Sequence, residues 1–431
     1  MESCSVDASY ATPVRPLGVI CARNTGDVVA TLRWASEHGV PVSARGAGTG
    51  KSGGCIASPG GVVLSLASMN RVLSVVPSNG WAEVEPGVVT GVFRDSMADE
   101  YGLFYPPDPA SLDTCTLGGN VATNAGGPVA LKYGVTGSYV LGVEAVLADG
   151  SVISTGRRQP KSVAGYDLTS MLVGSEGTLG IITKIRLGLR AQPVEVVTAL
   201  LPFASVADAA AAVPYARAAG VEPRAMELFD STSLRRAQRD ADYPGHPSWG
   251  ALILAEFDGG PGEGSAGLER FLAGLPVAPL EVRKAEQLAD RAALWAFRRR
   301  TSKAVKVGAV GWRSDDVAVP LGAIPELLDF LPGLGERHDL IVCAYGHAGD
   351  GNMHVNLLWE QAGGEARVGP AGRELVDKTL ALGGTISGEH GIGTLKKDAL
   401  PRELGARQTE LQQALRLQWD PRGILNPGKV F

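Results

Sequence analysis

Val40-Pro-Val-Ser-Ala-Arg45-Gly-Ala-Gly-Thr-Gly-Lys-Ser-Gly-Gly54 joins a short apolar strand directly to a glycine-rich loop. Gly48 to Gly53 match GxGxxG literally, but the context excludes a Rossmann unit. After Gly53 the chain reads Gly-Cys-Ile-Ala-Ser-Pro-Gly-Gly, which cannot continue as the required helix, and the next acidic residue is Glu83, too far on to hold a ribose. A loop free of Cβ atoms can still wrap its N–H groups around a pyrophosphate as an anion nest, or be an ordinary turn. A second run, Leu117-Gly-Gly-Asn-Val-Ala-Thr-Asn-Ala-Gly-Gly127, weighs against the ordinary turn. It carries too many glycines and small polar residues for a helix or strand interior. Two backbone-donor loops in one domain point to a large phosphorylated cofactor threaded between them.

Working outward, residues 25–39 read as a helix with Asp27 in its first turn, Val28, Leu32 and Ala35 on one face, and Gly39 at its end. Strands are expected at 40–44, 61–66, 81–84 and 180–187, and a helix at 90–101 closed by Gly102. Val140–Ala148 and Ser151–Ser154 flank Asp149-Gly150, a hairpin signal. Beyond about residue 190 the texture changes: helices at 205–219, 265–275 and 287–305 alternate with strands at 224–229 and 251–257. A domain boundary is placed near 190–197, and Gly259–Gly264 is read as a loop tip.

With 431 residues, 45% hydrophobic and 20% charged, the chain is globular and long enough for two domains. A formal charge of −5 gives no electrostatic reason to expect nucleic acid. Five cysteines without CxxC spacing argue against a disulfide framework or thiolate zinc site and fit a reducing cytoplasm. No stretch approaches the ~20 apolar residues of a spanning helix.

Three of the six histidines fall in Tyr345-Gly-His-Ala-Gly-Asp-Gly-Asn-Met-His-Val-Asn356 and Gly388-Glu-His-Gly-Ile-Gly393. His347, His354 and Glu389 form a donor set suited to a borderline divalent metal such as zinc, manganese, iron or cobalt. His390, beside Glu389, is a candidate base. Asp350, within Gly349-Asp-Gly351, is read as a turn residue. His38, His246 and His338 carry no signal.

Arg45–Gly50, Pro106-Pro-Asp-Pro-Ala-Ser111, Thr116–Gly127 and Gly174-Ser-Glu-Gly-Thr-Leu-Gly-Ile-Ile182 occur in an order that resembles the FAD-binding domain of the vanillyl-alcohol oxidase/p-cresol methylhydroxylase (PCMH) superfamily. The histidine motifs, with Trp419-Asp-Pro-Arg-Gly-Ile-Leu-Asn-Pro-Gly-Lys429, resemble its branch of D-lactate dehydrogenase, D-2-hydroxyglutarate dehydrogenase and glycolate oxidase. The resemblance covers residues 12 to 431. It implies an α+β chain: a two-subdomain PCMH-type FAD-binding domain over 1–192, then an FAD-linked oxidase C-terminal domain over 193–431. The latter comprises an antiparallel substrate region at 195–335 and a metal and catalytic segment at 340–431 that returns to the flavin.

By this resemblance Arg45, Gly46, Ala47, Gly48, Thr49, Gly50, Ser52 and Gly53 hold the FAD pyrophosphate. Pro107, Asp108, Gly118, Gly119, Asn120, Thr123, Asn124 and Gly126 line the flavin and ribityl chain. Glu176, Gly177, Gly180 and Ile182 approach the adenine side, and Asn426 lies near the flavin. Members with covalent flavin usually carry a histidine in the first loop; here Lys51 and Ser52 follow Gly50, so non-covalent FAD is expected, with Cys115 a buried thiol.

The resemblance also implies a reaction. His347, His354 and Glu389 bind the metal, Asn356 touches the substrate carboxylate, and His390 removes the hydroxyl proton as hydride leaves Cα for flavin N5. Within Leu294-Trp-Ala-Phe-Arg298, Arg298 matches the family's carboxylate-gripping arginine. The D-2-hydroxyglutarate enzymes add a threonine and a lysine for a distal carboxylate; Ser302 and Arg313 stand near those positions, so dicarboxylate preference is in doubt. The electron acceptor is open among an electron-transfer flavoprotein, a quinone, a cytochrome and oxygen, and a homodimer is common among relatives. Competing readings are a non-redox transferase resembling alkylglycerone-phosphate synthase and a non-catalytic component of a multi-protein oxidase.

Overall fold

The computed structural model describes residues 2–159, 161–239 and 243–431. The chain forms two compact units. Unit 1 comprises Met1–Gly127, Gly134–Gln192 and Glu389–Phe431; unit 2 comprises Pro128–Tyr133 and Pro193–Gly388. The chain passes from unit 1 to unit 2 after Gln192, and its final segment, Glu389–Phe431, belongs to unit 1 again. The short excursion Pro128–Tyr133 carried no signal in the sequence.

Unit 1 contains two larger sheets. One is parallel, in the order Val19–Cys21, Val62–Ser65, Val42–Arg45. The other is antiparallel, in the order Val72–Val76, Trp81–Val84, Ile181–Gly188, Val140–Val146, Val152–Ser154. The helix Thr25–His38 starts where the Asn24 side chain accepts from Asp27 N–H and stops at Gly39 in the left-handed region. Its buried Val28, Leu32 and Ala35 join Val62, Leu64, Val146 and Ile181 in one apolar core.

One expectation fails here. Leu117–Thr123, which looked too rich in glycine, is a helix. Thr116 caps it by accepting from Gly119 N–H, and Asn124 closes it at φ 51°. The first N–H groups, of Leu117 and Gly118, donate to the carbonyls of Val88 and Pro86. A Cβ on Gly118 would lie 2.4 Å from Pro86 Cβ and 2.8 Å from its carbonyl oxygen. Close docking of the helix start on residues 86–88 outweighs the low helix propensity of glycine.

Unit 2 is built on a seven-stranded antiparallel sheet. Its order is Arg283–Ala285, Glu195–Phe203, Ala251–Gly259, Ala225–Phe229, Ile341–His347, Asn352–Trp359, Gly311–Ala318. Strand alternation gives the sheet two faces. One carries Ala199, Ile253, Leu228, Ala344, Val355 and Val317, packed with Val213, Leu331 and Leu375 from the helices Val206–Ala218, Ile324–His338 and Glu365–Ala381. The other carries Leu200, Phe229, Tyr345 and Leu358, packed with Phe297 from the helix Leu288–Ala304. No helix among the described residues is long and apolar enough to cross a membrane.

Asp230 starts the helix Ser231–Ala237, accepting from Ser233 N–H at 2.6 Å and Ala344 N–H at 2.9 Å. Burial raises its pKa from 3.8 to about 6, against the pull of those two donors. A raised value means folding favours the protonated form. The contribution to stability is complete below 3.8 and is lost as pH rises through about 6. Chemical denaturation should therefore show stability declining between pH 4 and pH 7, a slope that Asp230→Asn removes; an unchanged slope in the variant would assign the effect to other groups. Gly118→Ala should lower the thermal midpoint by overpacking against Pro86, a cost of about 1–3 kcal/mol that exceeds the ~1 kcal/mol propensity gain. A midpoint equal to or above that of the wild type would show that the close docking is not needed.

Candidate functional site

Ile341–His347 and Asn352–Trp359 form a hairpin around the turn Ala348–Asp350. Its register pairs Cys343 with Asn356, Tyr345 with His354 and His347 with Asn352, so all six share one face of the sheet. The neighbouring strands add Asp316, opposite His354, Ser314, opposite Asn356, and Phe229, opposite Tyr345. The rings of His347 and His354 meet edge to face with centroids 5.1 Å apart, and a ring nitrogen of each lies within 4.8 Å of the other's. Asp350 is exposed and accepts from Asn352 N–H at 3.3 Å, as a turn residue does.

Each imidazole has a fully buried carboxylate beside its Nδ1. Glu227, two residues before Phe229 on the same strand face, is hydrogen-bonded through Oε1 to His347 Nδ1 and through Oε2 to Arg298 Nε. Burial alone would raise its pKa, but Arg298 and His347 outweigh it and hold the carboxyl at about 2. Asp316 Oδ1 lies 3.6 Å from His354 Nδ1 and accepts from Asn352 Nδ2 at 2.6 Å, while its Oδ2 accepts from Ser387 Oγ at 3.3 Å. The carboxylate hydrogen-bonded at His347 Nδ1 favours the tautomer that leaves the Nε2 lone pair of that ring for a metal, and two imidazoles set this closely suit a divalent cation.

Arg298 reaches this face from the helix Leu288–Ala304, with its guanidinium 5.2 Å from the Tyr345 ring centroid. Burial raises the pKa of Tyr345, against hydrogen bonding to Ser302, which brings Ser302 to the same cluster. Asn356 is completely buried; its Nδ2 donates to the His354 carbonyl at 3.3 Å, and its Oδ1 has no hydrogen-bond partner among the described residues. Arg313 does not join them. One position out of phase with Ser314 and Asp316, it lies on the opposite face, bonded twice to Asp315 at 2.7 Å and pressed against Gly372 of the helix Glu365–Ala381. Of the expected substrate-binding residues, Arg313 is the one that stands apart from this face. A one-residue offset in a strand moves a side chain across the sheet.

In unit 1 the two glycine loops are in contact: a Cβ on Gly46 would lie 2.3 Å from Thr116 Oγ1. Gly48 and Gly53 have φ 76° and 79°, conformations that side chains rarely adopt. The Arg45 guanidinium folds back over Gly48 and donates to the carbonyls of Val6 and Ser3, both at 2.9 Å. Gly126 faces Glu389, whose Oε2 would lie 2.9 Å from a Cβ there. Gly127 lies against the carbonyl of Asp108, and Pro107 is buried. A cradle closed to side chains and rich in backbone N–H groups fits an extended phosphorylated cofactor such as FAD.

Several expected cofactor residues spend their side chains on the protein. Asn120 Nδ2 donates to Thr90 Oγ1 at 2.8 Å, Asn124 Oδ1 accepts from Gly137 N–H at 2.8 Å, and Thr123 Oγ1 donates back to the Gly119 carbonyl at 3.2 Å. Glu176, at φ 50°, accepts from Ile392 N–H at 2.7 Å and Gly393 N–H at 2.9 Å, and burial raises its pKa. It therefore holds the loop that follows His390. Asn426 accepts from Ser43 Oγ at 2.9 Å and donates to the Gly54 and Glu176 carbonyls, both at 2.8 Å, tying three segments together. Gly180 abuts Leu172, and Ile182 is a buried strand residue. His390 Nε2 lies 3.9 Å from Glu389 Oε1.

Glu227 and Asp316 escaped the sequence reading. The available signal was an acidic residue inside an otherwise apolar strand, Ala225-Met-Glu-Leu-Phe229.

A family model described as FAD linked oxidases, C-terminal domain, matches residues 192–430, and one described as FAD binding domain matches residues 16–156. The glycolate oxidase subunit GlcD of Bacillus subtilis is 37% identical over 99% of this chain and 91% of its own. A D-lactate dehydrogenase of Anaerostipes hadrus is 35% identical over 96% and 90%. Among solved structures, p-cresol methylhydroxylase with substrate bound shares the fold at a TM-score of 0.79 and 19% identity, over 99% of this chain and 91% of that one.

Proposed function

The chain belongs to the FAD-linked oxidases, and from that premise we propose that it oxidises a D-2-hydroxy acid, such as D-lactate, glycolate or D-2-hydroxyglutarate, to the 2-oxo acid. The observation that carries this reading is the buried imidazole pair, each ring backed by a carboxylate, on the same sheet face as Asn356 and beside Arg298. FAD, held non-covalently by Arg45–Gly50, Ser52, Gly53 and the segment Leu117–Gly126, supplies the hydride acceptor. A divalent metal held by His347, His354 and Glu389 supplies Lewis acidity at the substrate hydroxyl. Chain continuity supports the third ligand: Gly388 packs against Asn352 in unit 2, and Glu389 and His390 are the next two residues.

The remaining work falls to side chains. His390, as a neutral imidazole, takes the hydroxyl proton. Arg298 grips the carboxylate through charge-assisted hydrogen bonds, and its contact with Tyr345 sets the plane of the guanidinium. The buried Asn356 amide orients the same end of the substrate. The pairing of Arg313 with Asp315 on the other sheet face removes one candidate for a distal carboxylate, which favours monocarboxylic substrates.

Anaerobic mixing of the flavin-loaded protein with a panel of D- and L-2-hydroxy acids should bleach the flavin with a D-acid. His390→Asn should slow this at least ~100-fold while FAD stays bound. Failure of every acid to bleach, with metal and FAD present, would leave the non-redox reading in its place. Exhaustive chelation should abolish turnover, and zinc, manganese or cobalt should restore it; full activity in demonstrably metal-free protein would remove the metal from the reaction.

A further inference from the structure

Glu227 is completely buried, lies on a strand between two apolar neighbours, and touches two groups with different tasks. One oxygen is hydrogen-bonded to His347 Nδ1 and the other to Arg298 Nε. Neither partner has much room elsewhere: His347 is 4% exposed and Arg298 is 6% exposed. A buried carboxylate needs compensation, and here one anion is shared between an imidazole and a guanidinium.

We infer that Glu227 is the positioning residue that couples cation binding at His347 to substrate-carboxylate binding at Arg298. This rests on the metal-assisted reading above. At His347 the carboxylate holds the proton on Nδ1, which sets the ring plane and makes Nε2 the ligand atom. At Arg298 it anchors the Nε edge of the guanidinium and fixes the direction of the fork. With its Nε2 engaged as a ligand, His347 would be a stronger Nδ1–H donor and would draw the Glu227 charge toward itself. Arg298 then keeps less of its counter-charge and becomes a stronger binder of an incoming carboxylate. Asp316 lies 3.6 Å from His354 Nδ1 and accepts from Asn352 Nδ2, whereas the two oxygens of Glu227 reach an imidazole and a guanidinium, so the coupling is assigned to Glu227.

Glu227→Gln keeps the shape and can still accept from His347, but removes the shared charge. The protein, with FAD bound, is stripped of metal, and zinc affinity is measured by competition with a chromophoric chelator. Glu227→Gln should weaken zinc about 10- to 100-fold, the usual cost of losing a carboxylate behind a metal-bound histidine. It should also raise KM for the bleaching acid by more than it lowers kcat, with the circular dichroism spectrum unchanged. Arg298→Ala, which leaves Glu227 wholly to His347, should tighten zinc several-fold in the wild-type background and by less than twofold in the Glu227→Gln background.

Zinc affinity within twofold of wild type in Glu227→Gln would overturn the inference and leave the metal reading intact. An equal effect of Arg298→Ala in both backgrounds would overturn the coupling. A wild-type protein that takes up no zinc, manganese or cobalt would take down the metal reading and this inference together. Should Glu227→Gln lose its fold, Glu227→Asp, which keeps the charge but shortens the reach, takes its place and should still weaken zinc.

Discussion

The buried carboxylate of Glu227 constrains the sheet face of unit 2 that carries the two imidazoles more than any other single group. It can exist in an apolar sheet only because Arg298 and His347 are brought to it, one from a helix and one from the neighbouring strand. Those two contacts fix the helix Leu288–Ala304 against the sheet and the hairpin against the strand Ala225–Phe229. Tyr345, Asn356 and His354 then fall on the same face through strand alternation, and Ser302 comes with the helix that carries Arg298. An ion pair so placed is a weak source of net stability, but it is intolerant of other arrangements, which suits a site that must present fixed nitrogen lone pairs.

The same economy appears in unit 1, where backbone takes the part that side chains play in unit 2. The glycine loops contribute N–H groups and closeness, and the polar side chains among them serve mainly as braces. Asn426 and Glu176 each bind backbone from distant stretches, so the loop after His390 is held by the cofactor domain itself. The placement of the candidate base is therefore tied to the integrity of the FAD-binding loops.

Much of this was legible in the sequence. The periodicity of Thr25–His38 and Thr90–Tyr101, the Asp149-Gly150 hairpin and the glycine loops mark local structure directly, because each depends on residues close in the chain. The failures have identifiable causes. Leu117–Thr123 is helical because of what it docks against, which composition does not record. Arg313 stands one residue out of phase with Ser314, and in a strand one residue is the difference between two faces. Glu227 and Asp316 are single acidic residues with no motif of their own, visible only once the register set them beside the histidines.

The return of Glu389–Phe431 to unit 1 bears on how the chain is made. Leu425 bridges to Val42, and Asn426 closes onto Ser43, Gly54 and Glu176, so unit 1 lacks these braces until Glu389–Phe431 has been made. Unit 2, apart from Pro128–Tyr133, is one unbroken stretch and can collapse on the ribosome first. The glycine loops, translated before Pro193–Gly388, wait for partners that follow it. The glycine-loop cradle is therefore braced by a segment that lies beyond the whole of Pro193–Gly388 in the chain, so its closure depends on residues made after that stretch.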